Sequence, residues 1–158
     1  MKFSTTLIAV RDMDKSLAFY KDLFGQDVAC DLGWNKTLSC GLTLQLHFDK
    51  LCEFPTENMQ FRPYNMELYF ETEDMDAFVE LLSSHPEVEL MHQVKKYPWQ
   101  QRVIRIFDPD GHIIEVGESM EGVAFREFEA GHTVQETAEV IQHPLPIVQQ
   151  WYEKYQCK

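Results

Sequence analysis

The chain has few basic residues, no closely spaced cysteine pair and no long apolar run. Its 14 Lys and Arg residues face 26 Asp and Glu residues, and the formal net charge of −12 would repel a polyanionic partner such as a nucleic acid. No stretch approaches the roughly 20 apolar residues of a membrane span. The four cysteines show no CxxC spacing and are too few for a disulfide scaffold. We therefore expect a cytoplasmic protein with reduced thiols that binds neither nucleic acid nor membrane.

What the chain does contain is enough apolar material for a folded core. Of its 158 residues, 44% are hydrophobic and 13% are aromatic, a composition typical of globular proteins. This length fits one ordinary domain, or two small halves that share a core.

The sequence also repeats itself. The tripeptide Asp-Met-Asp at 12–14 returns at 74–76, an offset of 62 positions, and Gly-Leu-Thr-Leu-Gln at 41–45 returns as Gly-His-Ile-Ile-Glu at 111–115, an offset of 70. The order of the parts is the same in both copies. We therefore expect two similar halves that pack against each other and form a cleft for a small molecule.

Each copy has the same pattern of predicted elements. In the first copy, Asp12 or Asp14 caps a helix that Gly25 ends. The apolar and β-branched runs predict strands at 3–10, 27–32, 36–40 and 42–48 in the first copy. In the second copy they predict a strand at 66–72, a helix at 75–84, and strands at 89–96, 102–107 and 112–117. The sequence thus predicts an α+β fold of two β-α-β-β-β modules, at 1–49 and 66–118, with a linker at 50–65.

The remaining residues, 119–158, predict a helical C-terminal extension. Thr133 and Glu136 have the spacing of a capping box, and Pro144 ends the helix that follows them. Pro146 suits the first turn of a last helix, whose apolar face must pack on the main domain or on a second subunit. A helix-turn-helix that reads DNA is disfavoured, because this segment lacks a basic recognition surface.

The two modules, the helix that begins Arg-Asp-Met-Asp-Lys-Ser-Leu at 11–17, and the hairpin Asp-Pro-Asp-Gly-His-Ile-Ile-Glu at 108–115 resemble the vicinal oxygen chelate superfamily. That superfamily includes glyoxalase I, bleomycin-resistance proteins and extradiol dioxygenases. The resemblance covers about residues 3–118 and implies the paired-module fold. It says less about function, because the superfamily contains lyases, isomerases, dioxygenases, transferases and proteins that only sequester ligands.

In the metal-using members, four strand positions that face the cleft supply the metal ligands. The resemblance places these positions at Thr5, Gln45, Glu67 and Glu115, and their spacings repeat the offsets of 62 and 70. Gln45, Glu67 and Glu115 could hold a divalent ion such as Mg, Mn, Ni or Zn, whereas a neutral hydroxyl at Thr5 is a poor ligand. The two-His-one-carboxylate triad of iron oxygenases is absent, which disfavours ring-cleaving dioxygenase activity.

The two carboxylates leave alternatives open. Without a metal, Glu67 and Glu115 could share a proton and act as a catalytic acid–base pair. Alternatively, one of them could be paired with an arginine such as Arg102 or Arg105.

Other residues are candidates for a substrate pocket. Strand alternation puts His47 on the same face as Gln45, and Tyr69 on the same face as Glu67. A strand histidine with no functional task is the simpler interpretation of His47. Trp99 could belong to an aromatic wall with Trp34, Phe48 and Tyr69, although aromatic residues are more often part of a core. His112 is expected at the exposed hairpin. The predicted pocket therefore consists of Thr5, His47, Tyr69 and Trp99.

Two functions follow from this resemblance. The first is a glyoxalase-type lyase or isomerase that acts on a small carbonyl or thiol-conjugated compound, with metal assistance as one option. The second is a metal-free protein that binds or sequesters a small molecule, as bleomycin-resistance proteins do. The resemblance also implies a homodimer, because the family builds its sites at module or subunit interfaces.

Overall fold

The computed structural model describes residues 1–157. Its first half contains β1 (Leu7–Ala9), α1 (Met13–Phe24), β2 (Val28–Asp31), β3 (Asn35–Leu38), β4 (Thr43–Gln45), α2 (Phe48–Leu51) and a 3₁₀ turn (Thr56–Asn58). The second half contains β5 (Glu67–Thr72), α3 (Met75–Ser83), β6 (Leu90–Lys96), β7 (Arg102–Phe107) and β8 (Ile113–Glu118). Three helices follow: α4 (Met120–Glu129), α5 (Val134–Val140) and α6 (Leu145–Tyr155).

The strands form two four-stranded sheets with the same order. The first sheet runs β1-β4-β3-β2 and the second runs β5-β8-β7-β6. In the first sheet, β1 is parallel to β4, and the β3–β4 and β2–β3 pairs are antiparallel. The duplicated β-α-β-β-β order and the α+β class predicted from the repeat are confirmed.

Capping residues at equivalent positions begin the first helix of each module. The carboxylate of Asp12 accepts a hydrogen bond from the backbone N–H of Lys15, and Asp74 accepts from Asp76 and Ala77. Such bonds satisfy N–H groups that have no partner within the helix. Gly25 ends α1 in the left-handed conformation, with φ +65°. The predicted boundaries of α1 are therefore confirmed.

The structure divides into two compact units. The first comprises Met1–Glu67, His85–Glu89 and Phe107–Ile113, and the second comprises Leu68–Ser84, Leu90–Ile106 and the chain from Ile114 onward. The first unit contains the first sheet, α1 and the turn that precedes β8. The second contains α3, nearly all of the second sheet, and the C-terminal helices.

Two strands are much shorter than predicted. The strand predicted at 3–10 begins at Leu7, and the one predicted at 42–48 ends at Gln45. His47 adopts a left-handed conformation, with φ 53°, and its carbonyl accepts hydrogen bonds from Lys50 and Leu51. The chain turns into α2 at this point, so the strand predicted at His47 was wrong and strand alternation does not determine the face on which His47 lies.

The C-terminal helices form a core of their own within the second unit. Thr133 and Glu136 make both bonds of the predicted capping box. Val148 of α6 is fully buried with residues of α4 and α5, and Trp151, Tyr152 and Tyr155 pack against the same cluster. The side of α6 formed by Val148, Trp151, Tyr152 and Tyr155 thus packs against helices of the same chain. Within residues 1–157, no helix is both long and apolar enough to cross a bilayer.

Candidate functional site

Thr5 and Gln45, the predicted positions in the first module, are bonded to their own sheet. The Thr5 hydroxyl donates to the carbonyl of Gly41 over 2.5 Å and lies 2.9 Å from the hydroxyl of Thr43. The Gln45 side chain is buried; its amide oxygen accepts from Asn35 over 2.8 Å, and its NH₂ group donates to the carbonyl of Leu46. Both side chains therefore serve the packing of the first sheet.

Glu115 has an arginine as its partner. Its carboxylate lies on β8 and accepts a hydrogen bond from the guanidinium group of Arg105 on β7. The two side chains are only 12% and 19% exposed. An ion pair removed from water to this degree is held firmly, because each charge needs the other to offset its lost hydration. The alternative in which Arg105 pairs with one of the acidic residues is confirmed.

The same arginine contacts two further side chains. Its Nη1 atom donates to the hydroxyl of Tyr97 over 2.7 Å and lies 3.3 Å from Nε2 of His92. Arg105 therefore connects a carboxylate, a phenol and an imidazole in the second unit. The sequence indicated only the carboxylate and the arginine. His92 and Tyr97 were missed, because neither lies in a repeated motif.

Aromatic residues lie next to this charged group. The rings of Tyr97 and Trp99 stack with their centroids 4.6 Å apart, and both residues are half-buried. The Trp99 indole N–H donates to the amide oxygen of Gln101 over 2.8 Å. Trp99 is thus fixed both by stacking and by a hydrogen bond.

Gln101 extends this network to Tyr69. It is buried, and its NH₂ group donates to the hydroxyl of Tyr69 over 3.0 Å and to the carbonyl of Glu118 over 2.8 Å. Burial, with a smaller contribution from the charge of Glu71, raises the pKa of Tyr69 to about 12. Two members of the predicted pocket, Tyr69 and Trp99, are therefore joined through Gln101, which the sequence did not indicate.

A glycine makes room for this arrangement. A Cβ atom on Gly117 would lie 2.6 Å from Nε2 of Gln101 and 3.1 Å from the ring of Tyr69. Any side chain at this β8 position would therefore displace the amide that holds Tyr69 and Trp99. We name the group formed by Tyr69, His92, Tyr97, Trp99, Gln101, Arg105 and Glu115 the second-sheet cluster.

The other candidates lie in the first unit. Trp34 is 56% exposed and its ring centroid is 4.6 Å from that of His47. Glu67 is the exposed first residue of β5 and belongs to the first unit, whereas Glu115 belongs to the second. A shared function of Glu67 and Glu115 stays a prediction.

His112 was expected to be exposed, and this was wrong. Its side chain is 11% exposed, and its Nδ1 atom lies 2.8 Å from Oδ2 of the fully buried Asp108. The hydroxyl of Tyr20 donates to the same carboxylate over 3.1 Å. The pKa of Tyr20 is raised well above its usual range, chiefly by burial and then by the charge of Asp108. Most of the hairpin turn is thus buried within the first unit, and only Pro109 of this turn is exposed.

These contacts determine whether the predicted ligands suit a metal ion. Among residues 1–157, no group of three or more His, Cys, Asp or Glu side chains is arranged to hold one. The Glu115 carboxylate is bound to a cation, and the oxygens of Thr5 and Gln45 are engaged in hydrogen bonds. A divalent ion needs oxygen or nitrogen ligands whose lone pairs are available. Because Arg105 already compensates the charge of Glu115, and the Thr5 and Gln45 oxygens are neutral and hydrogen-bonded, these three residues do not fit a metal ion in this arrangement.

Comparison with known proteins finds a family model that matches most of the chain. Residues 3–121 match the family model described as Glyoxalase-like domain. A crystal structure of a protein of unknown function from Agrobacterium tumefaciens str. C58 is 38% identical, covers 75% of this chain and 94% of its own, and gives a TM-score of 0.63. The comparison with curated proteins finds no match.

Two more distant structures show similarity of fold alone. Lactoylglutathione lyase from Agrobacterium tumefaciens is 24% identical, with 75% of this chain and 94% of that chain covered and a TM-score of 0.54. The fosfomycin resistance protein FosX from Listeria monocytogenes is 21% identical, with 75% and 93% covered and a TM-score of 0.56.

Proposed function

Because the chain belongs to the glyoxalase-like domain family, we propose that it binds a small organic molecule at the second-sheet cluster without the help of a metal ion. The observation that carries this proposal is the bond between Arg105 and Glu115. In this arrangement, the family position that could supply a carboxylate ligand supplies one half of an ion pair instead.

The chemistry of the cluster suits a ligand with a planar apolar part and a polar part. The stacked rings of Tyr97 and Trp99 offer an aromatic surface against which a planar group can pack. The Arg105–Glu115 pair adds donors and acceptors with no net charge. A thiol-conjugated aromatic compound has both parts, and it belongs to the ligand class that the sequence resemblance implies.

Binding of S-benzylglutathione in the presence of EDTA tests this proposal. Quenching of tryptophan fluorescence should saturate in the wild type, and the affinity should fall about tenfold in Arg105→Gln, because a charge-assisted hydrogen bond is lost. Lys96→Gln removes a cation from an exposed position on β6 and should leave the affinity unchanged. Binding that requires added metal, or that Arg105→Gln leaves intact, would refute the proposal.

A second candidate is a lyase or isomerase that transfers a proton next to a carbonyl group. The observation that favours it is the contact of Glu115 and His92 with one guanidinium group, which brings a carboxylate and an imidazole into the same cluster. Glu115 would then be the base, with Glu67 as its partner from the repeated position. A hemithioacetal formed from a 2-oxoaldehyde and a thiol is a suitable substrate for the assay. Turnover that Glu115→Gln abolishes would establish this candidate in place of simple binding.

We also propose a homodimer in the cytoplasm. Exposed apolar side chains on and after the edge strand β2, Val28, Leu32 and Trp34, offer surface that a second copy could cover. The four cysteines are all exposed and unpaired, which suits a reducing compartment. Light scattering coupled to gel filtration would test the dimer, and it would be refuted by a mass of one chain, 18.6 kDa.

A further inference from the structure

The first unit contains a cavity of about 670 Å³ that shares no residue with the second-sheet cluster. One wall is the face of α1 that carries Lys15, Ala18 and Phe19. The other walls are the segment at 61–62, the loop His85–Glu89 and the turn at 107–111. Ligand cavities commonly measure about 300–1,000 Å³, so this one has the size of a site for a small molecule.

Two of the cations that line the cavity lie over aromatic rings. The guanidinium carbon of Arg11 lies 4.4 Å from the ring centroid of Phe61, and that of Arg62 lies 4.3 Å from the ring centroid of Phe107. Phe19 adds a third, half-buried ring. Guanidinium groups stacked on aromatic rings are held flat, and their in-plane N–H groups stay available at the ring edges.

The charges that line the cavity are mostly paired within the first unit. Arg11 donates through Nε to the buried carboxylate of Asp110 over 2.7 Å, and Arg62 pairs with Glu89. Each guanidinium group carries five N–H donors, more than these contacts use. Lys15, whose side chain is 75% exposed, adds a further cation 3.7 Å from Asp12. Three more carboxylates line the cavity: Glu87 lies 3.0 Å from Nδ1 of His85, Asp108 accepts from the hydroxyl of Tyr20, and Asp22 adds a further negative charge. A ligand therefore meets guanidinium N–H donors beside carboxylates most of which have partners.

Gly111 gives Arg62 its position. The residue has φ +86°, and a Cβ atom there would lie 2.3 Å from Cγ of Arg62. The absence of a side chain at 111 lets Arg62 cross the turn and reach Phe107. This wall of the cavity thus depends on a glycine that the sequence indicated only as part of a hairpin.

From this arrangement we infer that the cavity of the first unit is a second ligand site, which takes a small aromatic carboxylate. The ring lies among Phe19, Phe61 and Phe107, and the carboxylate accepts hydrogen bonds from the guanidinium groups and from Lys15. This site is independent of the function proposed for the second-sheet cluster.

The test is a titration with 2-naphthoate, followed by the backbone amide resonances of the full chain in NMR. The resonances of residues 15–23 and 107–111 should shift in a saturable way. The uncharged analogue 2-naphthamide should bind at least about tenfold more weakly, because it cannot accept charge-assisted hydrogen bonds. Equal affinity for both compounds, or no shift at these residues, would overturn the inference.

Substitutions distinguish binding of 2-naphthoate in the cavity from binding elsewhere on the protein. Lys15→Gln and Arg62→Gln should each weaken 2-naphthoate binding, whereas Lys96→Gln should not. Ala18→Trp places a large side chain in the cavity from an exposed helix position and should abolish binding while the chain stays folded. Arg105→Gln, which alters the second-sheet cluster, should leave 2-naphthoate binding intact. If Arg105→Gln abolished 2-naphthoate binding while Lys15→Gln and Arg62→Gln did not, the ligand would bind at the second-sheet cluster, and the inference would be wrong.

Discussion

The guanidinium group of Arg105 is bound to the carboxylate of Glu115, and both side chains are largely withdrawn from water. A buried carboxylate requires a compensating cation, which in a metal-using protein of this kind of fold would be the metal ion itself. Here an arginine from the neighbouring strand provides the positive charge. The second-sheet cluster is therefore arranged around an internal ion pair.

Removing one member of this ion pair should destabilise the folded protein. Arg105→Met leaves the Glu115 carboxylate buried without its cation, and the free energy of unfolding should fall by about 3–5 kcal/mol. Urea denaturation followed by circular dichroism measures this loss.

The matched control is the double variant Arg105→Met with Glu115→Leu. It removes both charges together, so its stability should return to within about 1–2 kcal/mol of the wild type. If the double variant were as unstable as Arg105→Met alone, the cost would have another origin than the unpaired charge.

Gln101 should fix the positions of Trp99 and Tyr69. Gln101→Ala removes a hydrogen bond from each of them and one from the Glu118 carbonyl, and should cost about 1–3 kcal/mol. The emission of Trp99 should also change, because its indole N–H loses its partner. Gln93→Ala, at an exposed position on β6, should change neither property. Unchanged emission in Gln101→Ala would contradict the positioning role.

Lowering the pH should decrease the free energy of unfolding, because Glu118 becomes protonated. Burial alone would raise the pKa of Glu118, but hydrogen bonds from Arg126 and Arg102 outweigh it and lower that pKa. Because the pKa is lower in the folded state, the stabilisation is present above the ordinary pKa of Glu and is lost as the pH falls through the folded value.

Glu118→Gln should therefore be less stable than the wild type at pH 7, and the difference should shrink in acid. Unfolding by urea over a series of pH values measures it. Glu129→Gln changes an exposed position of α4, and its stability should depend on pH in the same way as that of the wild type. A difference for Glu118→Gln that does not change with pH would count against this explanation.

Gly111→Ala should destabilise the first unit by more than the cost of its left-handed backbone conformation alone. An L side chain in the left-handed region costs about 1–2 kcal/mol, and here the new Cβ would also displace Arg62. Gly131 is the matched control, since its φ is +92° and an added Cβ would meet nothing within 4 Å. Gly111→Ala should thus be less stable than Gly131→Ala, and it alone should weaken 2-naphthoate binding. Equal losses in both variants would show that Arg62 moves away freely.

The repeat was the most reliable guide to the fold. Asp12 and Asp74 begin equivalent helices, and the two sheets have the same strand order, because capping and apolar alternation act locally and are visible in the sequence. The predicted domain boundaries stay predictions.

Two predictions were wrong because short-range contacts, which strand and hairpin patterns do not show, decide the local structure. His47 was predicted in a strand, yet the chain turns there into α2. His112 was predicted at the surface, yet the buried Asp108 holds it. The choice between a metal ligand and an ion pair for Glu115 depends on which residue β7 places opposite β8. The sequence could name Arg105 as an alternative, but only the register of the sheet selects it over Arg102.

Titration with Mn²⁺, followed by the electron paramagnetic resonance signal of the free ion, tests the central claim most directly. The metal-free account predicts that the wild-type protein and Glu115→Gln leave the Mn²⁺ signal equally unchanged at micromolar concentrations. Tight binding of one ion per chain that disappears in Glu115→Gln would contradict it, because Glu115 would then bind the metal instead of Arg105.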